Sequence, residues 1–190
     1  MDKQELIVPK IEGIKANWAN LAEFYADHDS TAQTFYFSLL NILQVGQAKN
    51  ILEVGCGRST LLPFAMQLKN PNAHYLATDL SPEMLALGDK FLREHFAMYN
   101  SKLSFEEWLA KNKVEIKVHN GEEPLEGEKF DRILCNMVLM LTEDPEKMLN
   151  SFNKEAEVGC LLGVTVWEEI TQQVPCRIGQ LCKITWFPCP

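Results

Sequence analysis

Five short apolar runs separated by helix-patterned stretches constrain this chain more than any other feature. They are KNILEV (49–54), HYLATD (74–79), VEIKVHN (114–120), FDRILCNM (130–137) and GCLLGVTVW (159–167). Helical periodicity fills 60–68, 81–99 and 144–157, the second of these opening on Ser81 as an N-cap and Pro82 in the first turn. Strands that alternate with helices pair in parallel through right-handed crossovers. The order therefore predicts an α/β fold built on a doubly wound, mostly parallel sheet.

Two helices are predicted before the first strand, KANWANLAEFYADHD (15–29) and STAQTFYFSLLNILQVG (30–46). The second starts at a Ser-Thr cap, carries Phe35, Leu39, Ile42 and Leu43 at helical spacing, and stops near Gly46. A short extra helix is predicted in SKLSFEEWLAKNK (101–113), whose Phe105, Trp108 and Leu109 read as a packing stripe.

A length of 190 residues with 46% hydrophobic content fits one domain. We divide it into N-terminal helices that act as a lid (1–48), a ligand-binding core (49–168) and an atypical tail (169–190). With 26 acidic against 18 basic residues, the net charge of −8 argues against a nucleic-acid partner. MDKQELIVPK lacks the apolar core of a signal peptide, and CLLGVTVW (160–167) is far shorter than the roughly 20 residues of a membrane span. A cytoplasmic protein without membrane contact is the expectation.

The six cysteines form no C-x-x-C pair, so reduced thiols and no metal are expected, with Cys176, Cys182 and Cys189 the cluster to watch. The histidines do not converge, His28 and His119 included, and no Ser-His-Asp set presents itself. No residue is singled out as catalytic.

In a doubly wound sheet, ligands bind where strands end and turn into helices. EVGCGRST (53–60) holds that place after the first strand, with Gly55 and Gly57 free to take positive φ and to admit close backbone approach. Asp79 ends the next strand, about 20 residues on, where a carboxylate accepts both hydroxyls of a ribose. An adenosine-type ligand follows. A dinucleotide site wants a third glycine where this chain has Thr60, and Glu53 suits a cationic ligand better than a pyrophosphate.

At these residues the chain resembles the class I S-adenosylmethionine-dependent methyltransferases. LEVGCGRST resembles their first motif, LATDLSPEML their acidic strand end and helix start, VHNGEEPLE their adenine-contacting segment, and EKFDRILCNMVLML their fourth strand and following loop. The resemblance runs from about 50 to 167. It implies a Rossmann-like fold, S-adenosyl-L-methionine as cofactor and methyl transfer to a small-molecule or protein acceptor.

By matched position, the resemblance puts Glu53 at the methionine end, and Gly55, Cys56 and Gly57 along the cofactor. Asp79 would hold the ribose hydroxyls, with Leu80 beside the adenine. Asn120 and Gly121 would meet the adenine edge, Asn120 standing where many relatives place an Asp. Asn136 and Met137 would lie by the methionine moiety and the transferable methyl. Asn120 also suits a plain strand-end turn, and Asn136 a strand cap. Similar enzymes often lid the cofactor with a segment like WANLAEFYADHD, which puts Trp18, Tyr25 and His28 on the acceptor side.

The C-terminus departs from the pattern. Relatives continue with another helix and a reversed hairpin, whereas here QLCKITWF (180–187) supplies at most one final strand. An abbreviated sheet edge would leave the fifth strand partly uncovered and open to dimerisation or a partner. Two further readings therefore stand beside the methyltransferase: a cofactor-binding pseudoenzyme acting through a partner, and an NAD-dependent oxidoreductase, which Thr60 and Glu53 disfavour.

Overall fold

The computed structural model describes residues 13–14, 16–17, 33–99 and 102–166. Expectations at Trp18, Tyr25 and His28, for the tail and its Cys176, Cys182 and Cys189, and for the final strand QLCKITWF lie outside these residues.

The described elements follow the predicted order: helix α1 (Gln33–Ile42), strand β1 (Asn50–Val54), α2 (Leu62–Leu68), β2 (His74–Asp79), α3 (Pro82–Tyr99), α4 (Phe105–Lys111), β3 (Val114–Val118), β4 (Phe130–Asn136), α5 (Pro145–Glu155) and β5 (Ala156–Thr165). The strands form one parallel sheet in the order β3-β2-β1-β4-β5. From β1 the chain steps to β2 and β3 on one side, then returns to lay β4 and β5 on the other. The switch point lies between β1 and β4.

Both sheet faces are covered, so the central strands are apolar on both sides. Ile51, Tyr75, Ala77 and Leu134 pack on one face with Leu39, Leu40, Leu43, Leu61 and Leu62. Leu52, Val54, Leu76, Ile133 and Cys135 pack on the other with Met148 and Phe152 of α5. The period of two that makes these faces also sets Glu53 on the same face as Tyr75, whose backbone pairs with Ile51.

Local chemistry fixes the helix starts. Ser81 Oγ accepts the Met84 N–H ahead of α3, Ser104 and Glu107 close a capping box on α4, and Asp144 accepts the Lys147 N–H at the head of α5. Helix α1 lies tight against β5, since a Cβ at Gly163 would stand 2.6 Å from Leu39 Cδ1. The buried Arg132 side chain donates to the Leu43 carbonyl and ties the end of α1 to β4. These contacts hold α1 against one face of the sheet.

Two boundaries differ from the sequence reading. Helix α2 begins at Leu62 rather than at 60, because the glycine turn continues through Ser59 at φ 60°. Strand β5 begins at Ala156, directly where α5 ends, and not at 159. Its pairing jumps from Phe130↔Ala156 to Arg132↔Leu161, a bulge that takes in Gly159 at φ 82° and leaves Val158 outside. The Phe105 and Trp108 rings pack with Phe96 under α3, as the packing reading predicts. Among the described residues, no helix is long and apolar enough to cross a membrane.

Candidate functional site

A cavity of about 180 Å³ opens at the C-terminal ends of the strands, over the switch point. Its walls bring together all ten residues assigned to a cofactor from the sequence: Glu53, Gly55, Cys56 and Gly57 after β1; Asp79 and Leu80 after β2; Asn120 and Gly121 after β3; Asn136 and Met137 after β4. Segments far apart in sequence meet here because a parallel sheet aligns the ends of its strands.

The glycine turn is held at three points. Gly55 and Gly57 take φ of 69° and 55°, and a Cβ at Gly55 would stand 2.2 Å from Val138 Cγ2. The Cys56 N–H donates to the Thr78 carbonyl at 2.9 Å, and the Gly57 N–H to Asp79 Oδ2 at 2.8 Å. Asp79 Oδ1 accepts the Ser81 N–H at 2.8 Å, so one carboxylate braces the turn and the start of α3 together. Burial pushes the Asp79 carboxyl above its ordinary range, against the pull of these N–H groups.

Glu53 lies beneath the turn, 3% exposed. The Tyr75 hydroxyl donates to its Oε2 at 2.7 Å. Burial pushes the Glu53 carboxyl up to about 7; the Tyr75 hydrogen bond opposes the shift and the Asp79 charge adds to it. No cationic side chain among the described residues pairs with Glu53 or Asp79. The same burial, with the Glu53 and Asp79 charges, keeps Cys56 a neutral thiol. Cys56 therefore contributes backbone and bulk rather than a nucleophile.

At the far end of the cavity, Asn120 Oδ1 accepts the Glu122 N–H at 3.1 Å. The neighbouring His119 ring places Nε2 2.7 Å from the Glu123 carbonyl, which makes that nitrogen the protonated one. Beyond β4, Thr165 Oγ1 accepts the Met137 N–H at 3.0 Å and donates to Asn136 Oδ1 at 2.6 Å. The Asn136 carboxamide is thereby held, with Met137 at φ 60° just after it.

The sequence profile of a family described as a methyltransferase domain matches residues 52–162, more than half of the chain. The chain belongs to the methyltransferase domain family. No curated protein sequence matches it. Among solved structures, this methyltransferase domain is similar to the [4+2]-cyclase SpnF, with TM-score 0.70, 13% identity, and coverage of 89% of this chain and 65% of that one. It is also similar to a SAM-dependent methyltransferase from Aquifex aeolicus (TM-score 0.56, 18% identity, 74% of this chain and 68% of that one). A third likeness is to coclaurine N-methyltransferase bound to N-methylheliamine and SAH (TM-score 0.55, 18% identity, 71% and 35%). At these identities the likeness is one of fold. The chain spans from about a third to two thirds of these neighbours' lengths.

Several walls of the methyltransferase domain's cavity come from residues the sequence reading passed over. Tyr36 on α1 lines it, with its hydroxyl 3.0 Å from Thr60 Oγ1, and Ile14 adds an apolar wall. Tyr36 looks like one more core position of an amphipathic helix, and only tertiary packing brings it to the site. Arg58 stands inside the glycine turn, its guanidinium 5.0 Å from the Phe91 ring centroid, and was open to detection from its place in the motif. Glu122, two residues past Asn120, is 5% exposed and accepts the N–H groups of Glu143 and Asp144 at 2.9 and 3.3 Å. His119, which the sequence left aside, is on the wall as well.

Proposed function

We propose that this chain is an S-adenosylmethionine-dependent methyltransferase that acts on a small-molecule or protein acceptor. The observation that carries the reading is the placing of Glu53 and Asp79 on one cavity wall, one carboxylate bracing the glycine turn and the other held beneath it, with neither in a salt bridge among the described residues. Such a wall favours a ligand that combines a diol with a positive charge. The residues present fit that cofactor: Asp79 keeps lone pairs for ribose hydroxyls, Glu53 faces an ammonium group, and the glycines leave room for close approach. Asn120 and Gly121 stand for the adenine edge, and Asn136 and Met137 for the methionine moiety and the methyl.

When bound, the cofactor supplies a methyl group already activated on its sulfonium. The chain's own work is to hold the reacting partners in line and to exclude water. Tyr36, Met137, Val138 and Leu141 give the cavity a largely apolar side for this. A fold alone carries no activity, and a [4+2]-cyclase shares this one.

Transfer itself is the test. Labelled methyl should pass from S-adenosylmethionine to a component of a cell extract, and should fail to pass with Asp79→Ala. Calorimetric titration should show binding of S-adenosylmethionine and none of NAD. Tight binding with no labelled product would favour the pseudoenzyme, and NAD binding the oxidoreductase. The structural neighbour solved as a complex of a Trm112 methyltransferase activator with a putative methyltransferase gives a partner-dependent form of the reading a concrete shape. Silence of the isolated chain followed by activity in extract would support that form.

A further inference from the structure

The loop after β4 turns its own backbone donors inward and leaves one side-chain amide on the cavity wall. Asn136 ends the strand, and Met137, at φ 60°, carries the chain out of it. The Met137 N–H is shared between the Thr165 carbonyl at 2.9 Å and Thr165 Oγ1 at 3.0 Å. The next N–H groups, of Val138 and Leu139, donate to the buried sulfur of Cys135. The backbone donors that follow Asn136 are therefore engaged inside the fold.

The Asn136 side chain differs. Thr165 Oγ1 accepts the Met137 N–H and gives its own hydrogen to the amide, and the separation of 2.6 Å suits an O–H donor on a carboxamide oxygen better than an N–H donor. Thr165 is fully buried and forms no part of the cavity wall, whereas Asn136 lines it. Oδ1 thus faces the protein. Nδ2 forms no hydrogen bond in the fold, and among the described residues Glu155 Oε2 alone is both buried and unpartnered, so the NH₂ of Asn136 is open to the cavity. Neither Asn136 nor Thr165 can take up a proton near neutral pH.

We propose that Asn136 receives the methyl acceptor as an anion, its NH₂ donating to an ionised sulfur or oxygen, so that the site selects thiolates and carboxylates over amines. The inference rests on the methyltransferase reading above. An ionised sulfur or oxygen offers one lone pair to the NH₂ and keeps another for the methyl carbon. A neutral amine needs its single lone pair for that carbon, and would turn its N–H groups on the NH₂, donor to donor. Charge balance runs the same way. As the acceptor's lone pair forms the new bond to carbon, the bond from carbon to the cationic sulfur breaks and its electrons return to that sulfur. Anion and cation leave as neutral products, with no proton to remove, whereas an amine would end as a cation and need a base. The apolar side formed by Tyr36, Met137, Val138 and Leu141 strengthens a charge-assisted hydrogen bond by excluding water. Asn136 is on this account a specificity-determining residue.

The experiment uses the intact chain saturated with S-adenosyl-L-homocysteine, which lacks the methyl group and so permits no turnover. Benzenethiolate, benzoate and aniline share a ring and differ in charge at about pH 8. Each is titrated into the complex by calorimetry and against the ¹H–¹⁵N signals of the Asn136 carboxamide, assigned by their loss in Asn136→Asp. One or both anions should move those signals saturably and bind at least about tenfold more tightly than aniline, and the tighter anion identifies the accepting atom. Asn136→Asp should lower the anion-to-aniline affinity ratio by about tenfold or more. Thr165→Val, which frees the amide to rotate, should lower the same ratio. Carboxamide signals that neither anion moves, an aniline affinity that matches or exceeds both anions, or a ratio unchanged in Asn136→Asp would overturn the proposal and leave the cofactor reading standing. A chain that does not bind S-adenosyl-L-homocysteine would overturn both.

Discussion

The Tyr75 hydroxyl donates to Glu53 Oε2 at 2.7 Å in a buried contact between adjacent strands, directly beneath the glycine turn. Tyr75 thus occupies one oxygen of a carboxylate that burial has pushed up to about 7. A cation arriving in the cavity favours the ionised form and pulls that value down. Near pH 7, binding of S-adenosylhomocysteine through its ammonium should release about half a proton per site. Titrations in phosphate and in Tris, whose ionisation heats differ, measure this directly. Glu53→Gln should bring the release to zero, and Tyr75→Phe should move its midpoint to higher pH.

Glu155 provides a second pH dependence, this time in stability. Its Oε1 accepts the Leu125 N–H at 2.7 Å, while Oε2 is buried without a partner. Burial pushes this carboxyl from 4.5 up to about 7. The folded state therefore holds the proton more tightly than the unfolded chain. Glu155's contribution is full below pH 4.5 and is lost as pH rises through about 7. Glu155→Gln should stabilise the chain by on the order of 1–3 kcal/mol at pH 8 and change little at pH 4.5, read from urea midpoints at the two pH values.

Gly55 and Val138 form a steric pair. Alanine at Gly55 meets Val138 Cγ2 at 2.2 Å and must also hold a φ of 69°. Gly55→Ala should cost roughly 2–4 kcal/mol in thermal or chemical unfolding. Adding Val138→Ala should restore part of this by removing the clash, while the backbone strain remains.

Asp79 separates binding from folding. Its two oxygens accept the Gly57 and Ser81 N–H groups. In Asp79→Asn one of those N–H groups would face an NH₂, and the glycine turn would lose a brace. Affinity for S-adenosylhomocysteine should fall at least about tenfold, with unfolding changed by about 1–2 kcal/mol. Parallel calorimetry and thermal melts would show the two effects apart.

Most of the sheet was legible from sequence because each central strand is an apolar run flanked by helical periodicity, as in Asn50–Val54 and Phe130–Asn136. The start of β5 was not, since α5 runs into it at Ala156 with no turn residue between and a bulge hides the pairing register. Among the cavity walls, Glu53, Asp79, Asn120 and Asn136 were legible as lining residues, since each lies at or within two residues of the C-terminal end of its strand. Tyr36 was not, because its side chain obeys the apolar period of α1 and meets Thr60 only through packing. Glu122 was hidden differently, for an acid in a loop reads as solvated until its backbone partners on the approach to α5 are seen.

Those partners give Glu122 a mechanical meaning. One carboxylate oxygen clasps two N–H groups from the segment that follows the cavity's opposite rim, so the loop after β3 and the approach to α5 are stitched at a single atom. An outward swing of either flap alone would break both hydrogen bonds. Entry of a ligand at the Asn120 end of the cavity must either leave that stitch closed, and so use a doorway elsewhere on the rim, or undo it and release both flaps in one stroke.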